Sequence, residues 1–171
     1  MNKKILIVAA LLMVVCVGGA FAWAIGIQGG GGVGGNGGAA ITFKLDNVPL
    51  VFAADFYARS NYFTFGITGD YWFIEDTIVD TGIGPFGWFL GGGVGVAFRF
   101  WDNDSYNKDD HGGFGIRVAG RLPIGLNMMI AAGPVEIEPY IQAVPQIGLW
   151  MIDDFGLYWD VDFNAGLRFH F

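Results

Sequence analysis

Hydrophobic positions recur at every second residue along most of this chain. The stretch from Phe163 to Phe171 carries the pattern most regularly: Phe163, Ala165, Leu167, Phe169 and Phe171 alternate with Asn164, Gly166, Arg168 and His170. Side chains of a strand point to opposite faces with period two, so such a segment has one greasy face and one wet face. Eight segments of this kind can be laid down: 23–33, 39–46, 50–59, 62–74, 88–101, 114–122, 135–149 and 157–171. Gly34-Gly35-Asn36-Gly37-Gly38 and Ser60-Asn61 read as hairpin turns, the former because Asn-Gly and Gly-Gly pairs tolerate positive φ. Two places fit less well. The connection from Glu75 to Pro85 is long and contains Ile78, Val79 and Ile83, and Pro139 and Pro145 would remove ladder donors, which implies bulges or a break.

The content of the two faces decides the architecture. On the fifth segment Val94, Val96, Phe98 and Phe100 oppose Gly93, Gly95, Ala97 and Arg99. On the sixth, Phe114, Ile116, Val118 and Leu122 oppose Gly115, Arg117, Ala119 and Arg121. On the eighth, Leu157, Trp159, Val161, Phe163, Leu167 and Phe169 oppose Tyr158, Asp160, Asp162, Asn164, Arg168 and His170. A water-soluble barrel would turn its large apolar residues inward and its charges outward. Here charges share a face with glycine and alanine, as needed inside a narrow tube, so the pattern predicts lipid outside and a polar interior.

The remaining composition changes the picture in three ways. Met1-Asn2-Lys3-Lys4, the apolar run Ile5–Val17 and the small-x-small triplet Ala20-Phe21-Ala22 read as a cleavable secretory leader over 1–22, leaving a barrel domain over 23–171. Cys16, the single cysteine, lies in that run. Val15 before it is too large for a lipidation signal, and the exported chain would hold its fold without disulfides. Beyond the leader no run of eighteen apolar residues exists although 53% of the chain is hydrophobic, which leaves a closed barrel as the way across a bilayer. With Lys3 and Lys4 removed, seven basic residues face 16 acidic ones, which argues against nucleic acid as a partner.

An alternating segment ending on Phe171 resembles the terminal strand of bacterial outer-membrane barrels, in which the assembly machinery reads such a signal, here Phe163, Leu167, Phe169 and Phe171. The overall layout resembles the eight-stranded OmpA/OmpX-like barrels. Arg121-Leu122-Pro123-Ile124-Gly125-Leu126-Asn127, Val135-Glu136-Ile137-Glu138 and Val144-Pro145-Gln146-Ile147-Gly148-Leu149, followed by the terminal segment, are similar to a spirochaete outer-membrane domain family of unknown function. That second resemblance covers the C-terminal third. Together they imply an all-β, antiparallel, up-and-down transmembrane barrel in the outer membrane, in contact with its lipid, with no established chemistry.

Candidate chemistry is sparse. The inward faces are expected to carry Lys44, Asp55, Asp70, Arg99, Arg117, Arg121, Glu136, Glu138, Asp160, Asp162 and Arg168, six acids and five bases. The lumen of an eight-stranded barrel is just wide enough for side chains to fill, and charges there must pair. The expectation is therefore a structural plug in which Arg121, Glu138 and Arg168 meet, with an ion path gated by these groups as the alternative. Asp102, Asp104, Asp109 and Asp110 crowd the longest polar connection, read as a solvated extracellular loop rather than a calcium site, since the glycine and distal glutamate of a helix-loop-helix site are missing. Catalysis is not expected: Ser105 and His111 share one loop, His170 sits at the opposite rim, and no nucleophile motif surrounds Ser60 or Ser105. No metal or cofactor is implied, and Gly29–Gly38 lacks the Gly-Lys-Ser/Thr of a phosphate loop. Aromatics at the strand ends, Trp23, Tyr71, Phe73, Phe86, Trp88 and Phe171 at one rim and Tyr57, Tyr62, Trp101, Trp150, Tyr158 and Trp159 at the other, are expected to form two interfacial belts. The function this supports is structural or adhesin-like, with loops offered to an extracellular ligand; a narrow pore is second, and a lipid-modifying enzyme third.

Overall fold

A computed structural model describes residues 23–31, 37–59, 62–101, 113–151 and 155–171. The expected leader over 1–22, most of the expected Gly34–Gly38 turn, Ser60-Asn61 and the expected acidic loop with Asp102, Asp104, Asp109 and Asp110 lie outside the described residues. Among these residues ten strands follow one another: β1 (Trp23–Gly30), β2 (Gly38–Leu45), β3 (Leu50–Arg59), β4 (Tyr62–Thr81), β5 (Gly84–Trp101), β6 (Gly113–Arg121), β7 (Ile124–Met128), β8 (Ile130–Ala132), β9 (Val135–Met151) and β10 (Gly156–His170). All pairings are antiparallel, and β1 pairs with β10 from Ala24↔His170 to Gly30↔Asn164, closing the sheet on itself. β6, β7 and β8 occupy one position between β5 and β9. They are a single interrupted strand, so the wall is a ring of eight.

The exterior is apolar and the interior polar. Ile27, Val94, Phe163 and Trp159 are 67%, 65%, 71% and 80% exposed, while Glu138 and Arg168 are 0% and 1% exposed. That inversion is what the two faces of the sequence require. It is stable only where hydrocarbon, not water, meets the outer face and every wall hydrogen bond is made between strands.

The two irregular places resolve in paired structure. Glu75–Pro85 is not a loop: β4 runs on to Thr81 and pairs with β5 down to Thr81↔Gly84, with register shifts between Trp72 and Ile74 and between Thr77 and Val79. The turn is short. Thr81 Oγ1 accepts from Gly84 N at 3.2 Å and donates to Gly84 O at 2.6 Å, and Gly84 has φ +146°, a conformation only glycine holds without strain. The prolines act across the sheet rather than within their own strand. β9 stays in register with β10 throughout, including Pro139↔Leu167 and Pro145↔Val161. Its other neighbour breaks instead: pairing jumps from Arg121↔Gln146 to Ile124↔Ala143 opposite Pro145, and from Asn127↔Tyr140 to Ile130↔Ile137 opposite Pro139. A proline offers no N–H, so the neighbouring strand loses a ladder bond at each place, although Leu122 N still donates to Pro145 O at 2.9 Å. Pro123, lacking its own N–H, adds to the first cut, and the strand is divided into β6, β7 and β8.

Glycines on the inner face make room for rings from the next strand. The Tyr140 ring lies over Gly166, the Phe89 ring over Gly125 and the Tyr158 ring over Gly148, each where a Cβ would collide. This fills a tightly curved tube without forcing two large side chains into one register pair. Gly166→Ala is therefore expected to destabilise the protein by about 1–3 kcal/mol through overpacking. Gly120→Ala, on the outer face with open space around it, is expected to stay within about 0.5 kcal/mol. Urea unfolding midpoints of the refolded protein separate the two.

Candidate functional site

The lumen is filled in three tiers, and the tier beside the chain ends is the most tightly knit. Glu138, fully buried on β9, sits at its centre. Its Oε2 receives Arg168 Nη1 of β10 at 3.0 Å and His170 Nε2 at 3.0 Å; its Oε1 receives Asn127 Nδ2 of β7 at 2.9 Å and lies 3.5 Å from Lys44 Nζ of β2. Lys44 also bonds Glu75 Oε1 of β4 at 2.5 Å, and His170 Nδ1 lies 3.0 Å from Asp46 Oδ1. Both His170 ring nitrogens thus face carboxylate oxygens, an arrangement satisfied only when both carry a proton. Three acids and three cationic groups balance within this tier.

Aromatic rings cover the remaining faces of these cations. Trp72 and Phe89 stack at 3.7 Å between centroids, Lys44 Nζ lies 4.7 Å over Trp72, and Arg168 Cζ lies 3.8 Å over Tyr140. Tyr140 Oη donates to Gln28 Oε1 at 2.9 Å, which ties β9 to β1 across the tube. This tier brings side chains of β1, β2, β4, β5, β7, β9 and β10 together inside the ring.

The middle tier is looser. Register sets Asp70, Gly93, Arg121 and Gln146 on one cross-strand row. A Cβ on Gly93 would strike Asp70 Oδ1, so the glycine lets that carboxylate reach over β5 to Arg121 Nε, 3.0 Å away. The two are close enough for an ion pair but not aligned as a hydrogen bond. Asp162 accepts from Gln146 Nε2 at 2.7 Å, and Asp55 faces the same space from β3. The outer tier sets two guanidinium groups on rings: Arg117 Cζ lies 3.5 Å from the Trp150 ring centre and 4.8 Å from that of Tyr158, and Arg99 Cζ lies 5.0 Å from Tyr62 and from Trp150. Asp160 stands on the same side of β10 and acts electrostatically on Arg117.

Of the eleven lumen charges expected from sequence, ten line the interior and one does not. Glu136 is exposed at the rim beside Ala131 and His170, because the lumen ends one step above it. The expected meeting of Arg121, Glu138 and Arg168 also changes: Arg168 meets Glu138, while Arg121 lies a tier higher with Asp70. Sheet tilt, invisible to hairpin registers taken one at a time, separates them. The outer aromatic belt is largely turned inward: Tyr62, Trp150 and Tyr158 form the ring surfaces under Arg99 and Arg117, Tyr57 packs on Tyr62 at 5.5 Å, and Trp101 covers Gly113. Trp159 faces out. Sequence reading missed Trp72, Phe89, Asn127, Tyr140, Glu75 and Asp46. For the first four, strand parity relative to Asp70, Gly93, Arg121 and Glu138 was the available signal.

A groove of about 660 Å³ on the outer wall, between Trp88, Ile124, Leu126, Ile141 and Phe163, belongs to the same apolar surface as the rest of the exterior. No group of three acidic, histidine or cysteine side chains among the described residues is placed to hold a metal ion. No family model and no curated protein matches the chain. The crystal structure of Neisserial surface protein A resembles it, with 17% identity over 86% of this chain and 94% of that one and a TM-score of 0.43.

Glu138→Ala leaves Lys44, Arg168 and His170 without their common counter-charge and is expected to cost about 3–5 kcal/mol. Glu136→Ala at the exposed rim is expected to stay within about 0.5 kcal/mol. Heat-modifiable gel mobility and the unfolding midpoint report both.

Proposed function

We propose that the chain is a small integral barrel of the bacterial outer membrane, exported by a cleaved leader, whose plugged lumen carries no catalysis and whose outward loops offer a surface to an extracellular ligand. One observation carries this reading: large apolar side chains cover the outside of a closed ring while ion pairs fill the inside. Partners in this reading are outer-membrane lipid and, during insertion, the barrel-assembly machinery, which would read Phe163, Leu167, Phe169 and Phe171; nucleic acid is not among them. The likeness of the C-terminal third to a spirochaete outer-membrane family belongs to the same proposal. So does an adhesin-like role for the loops, among them the acidic one.

A narrow channel is the second reading. The continuous polar lining from Arg99 down to Lys44 favours it, and the densely bonded tier around Glu138 weighs against it, since a buried paired charge is held by several kcal/mol. The purified protein without its leader is expected to need detergent for solubility, to show a β-rich spectrum and to migrate differently boiled and unboiled. In planar bilayers it is expected to be silent. A water-soluble, unshifted protein would overturn the membrane reading, and stepwise conductance abolished by a bulky side chain at Thr68 would replace the plug with the channel.

A further inference from the structure

We propose that the middle of the lumen binds one monovalent cation, of the alkali-metal or ammonium class, among the oxygen atoms of Asp55, Asp162, Gln146, Asn164 and Thr68.

The charge distribution makes the first half of the case. Around Glu138, Lys44, Arg168 and the doubly hydrogen-bonded His170 match Glu138, Glu75 and Asp46. The outer tier holds Arg99 and Arg117 with Asp160 between the tiers. The middle tier holds Arg121 against three carboxylates, Asp55, Asp70 and Asp162, and its charge acts on all three. Counted with every carboxylate ionised, the described interior is one positive charge short, and the shortfall lies in the middle. Carboxylates away from bulk water do not stay ionised without a counter-charge.

Unused polar atoms make the second half, independently of the charges. Thr68 Oγ1, Gln146 Oε1, Asn164 Oδ1 and Asp55 Oδ2 are enclosed and have no hydrogen-bond partner among the described residues. Thr68, Gln146 and Asn164 are 1%, 5% and 5% exposed. All four atoms are oxygens able to face a positive charge, and they lie on β3, β4, β9 and β10, strands that surround the tier on more than one side. Small residues take inward positions around them: Ala40 on β2, Gly66 on β4 and Gly95 on β5. Buried oxygens without partners are satisfied by water or an ion. A set of neutral oxygens with two carboxylates suits a singly charged, partly hydrated ion. No tight cluster of three acidic side chains is present to strip a divalent one.

The test uses the protein refolded in detergent micelles and unfolded in urea at one ionic strength, in chloride salts of sodium, potassium, ammonium or N-methylglucamine. The last cation is too large to enter. The midpoint is expected to rise saturably with the small cations, by about 0.5 M urea for an ion at ten times its dissociation constant. Gln146→Lys, which tethers an ammonium beside Asp162, is expected to abolish the difference between salts, and Glu136→Gln at the rim is expected to keep it. Equal midpoints of the unaltered protein in all four salts would overturn the proposal, which requires no variant to fold. So would a salt difference that survives Gln146→Lys unchanged, since the ion would then sit elsewhere.

Discussion

The wall is closed by a pairing between the first and last strands, and everything else in the molecule follows from that closure. An edge left open in hydrocarbon would strand N–H and C=O groups at several kcal/mol each. Once Ala24–Gly30 lies against Asn164–His170, the backbone is satisfied within the ring and the outer side chains are free to be apolar. The inner side chains then occupy a tube too narrow to flood freely. Their charges must answer one another, and the three tiers are three different solutions to that demand. The tier at Glu138 gathers the most side-chain hydrogen bonds, the outer tier uses aromatic faces, and the middle tier leaves oxygens of Thr68, Gln146, Asn164 and Asp55 without partners among the described residues.

Alternation alone was enough to read which way the wall faces. Val94, Val96, Phe98 and Phe100 opposite Gly93, Gly95, Ala97 and Arg99 dictate which way the sheet faces, and the same parity holds on β10. What alternation could not supply was the consequence of tilt. Arg121 and Glu138 look close when each hairpin is laid flat, yet the closed sheet carries them to different heights, so that Arg121 finds Asp70 across Gly93. Glu136 shares parity with Glu138 but falls beyond the end of the lumen. Parity would have placed Trp72 and Phe89 inside. A large aromatic on a strand of a membrane barrel reads first as a lipid-facing residue, and only the ring-over-glycine packing shows why the interior can hold it.

The prolines illustrate the same limit from another side. Pro139 and Pro145 announce lost donors, and the natural reading places the damage in the strand that carries them. β9 keeps its register because its β10 side needs no more than it has. The missing donors are felt by the strand on its other side, which is cut at Leu122-Pro123, where Pro123 lacks a donor of its own, and again at Met129. Composition marks that a ladder will be interrupted, whereas sheet order decides which strand is interrupted.

Bonds that lock the interior join parts of the chain far apart in sequence. Lys44 and Glu138 are separated by 94 residues, Gln28 and Tyr140 by 112, and Asp46 and His170 by 124. Contacts of such span cannot form until almost the whole chain has been ordered, so their loop-closure entropy is paid late and all at once. The route to the native state is therefore slow, with the polar side chains still hydrated until the ring shuts. The reverse route must break the hub and the wall together, which makes the finished barrel long-lived once made.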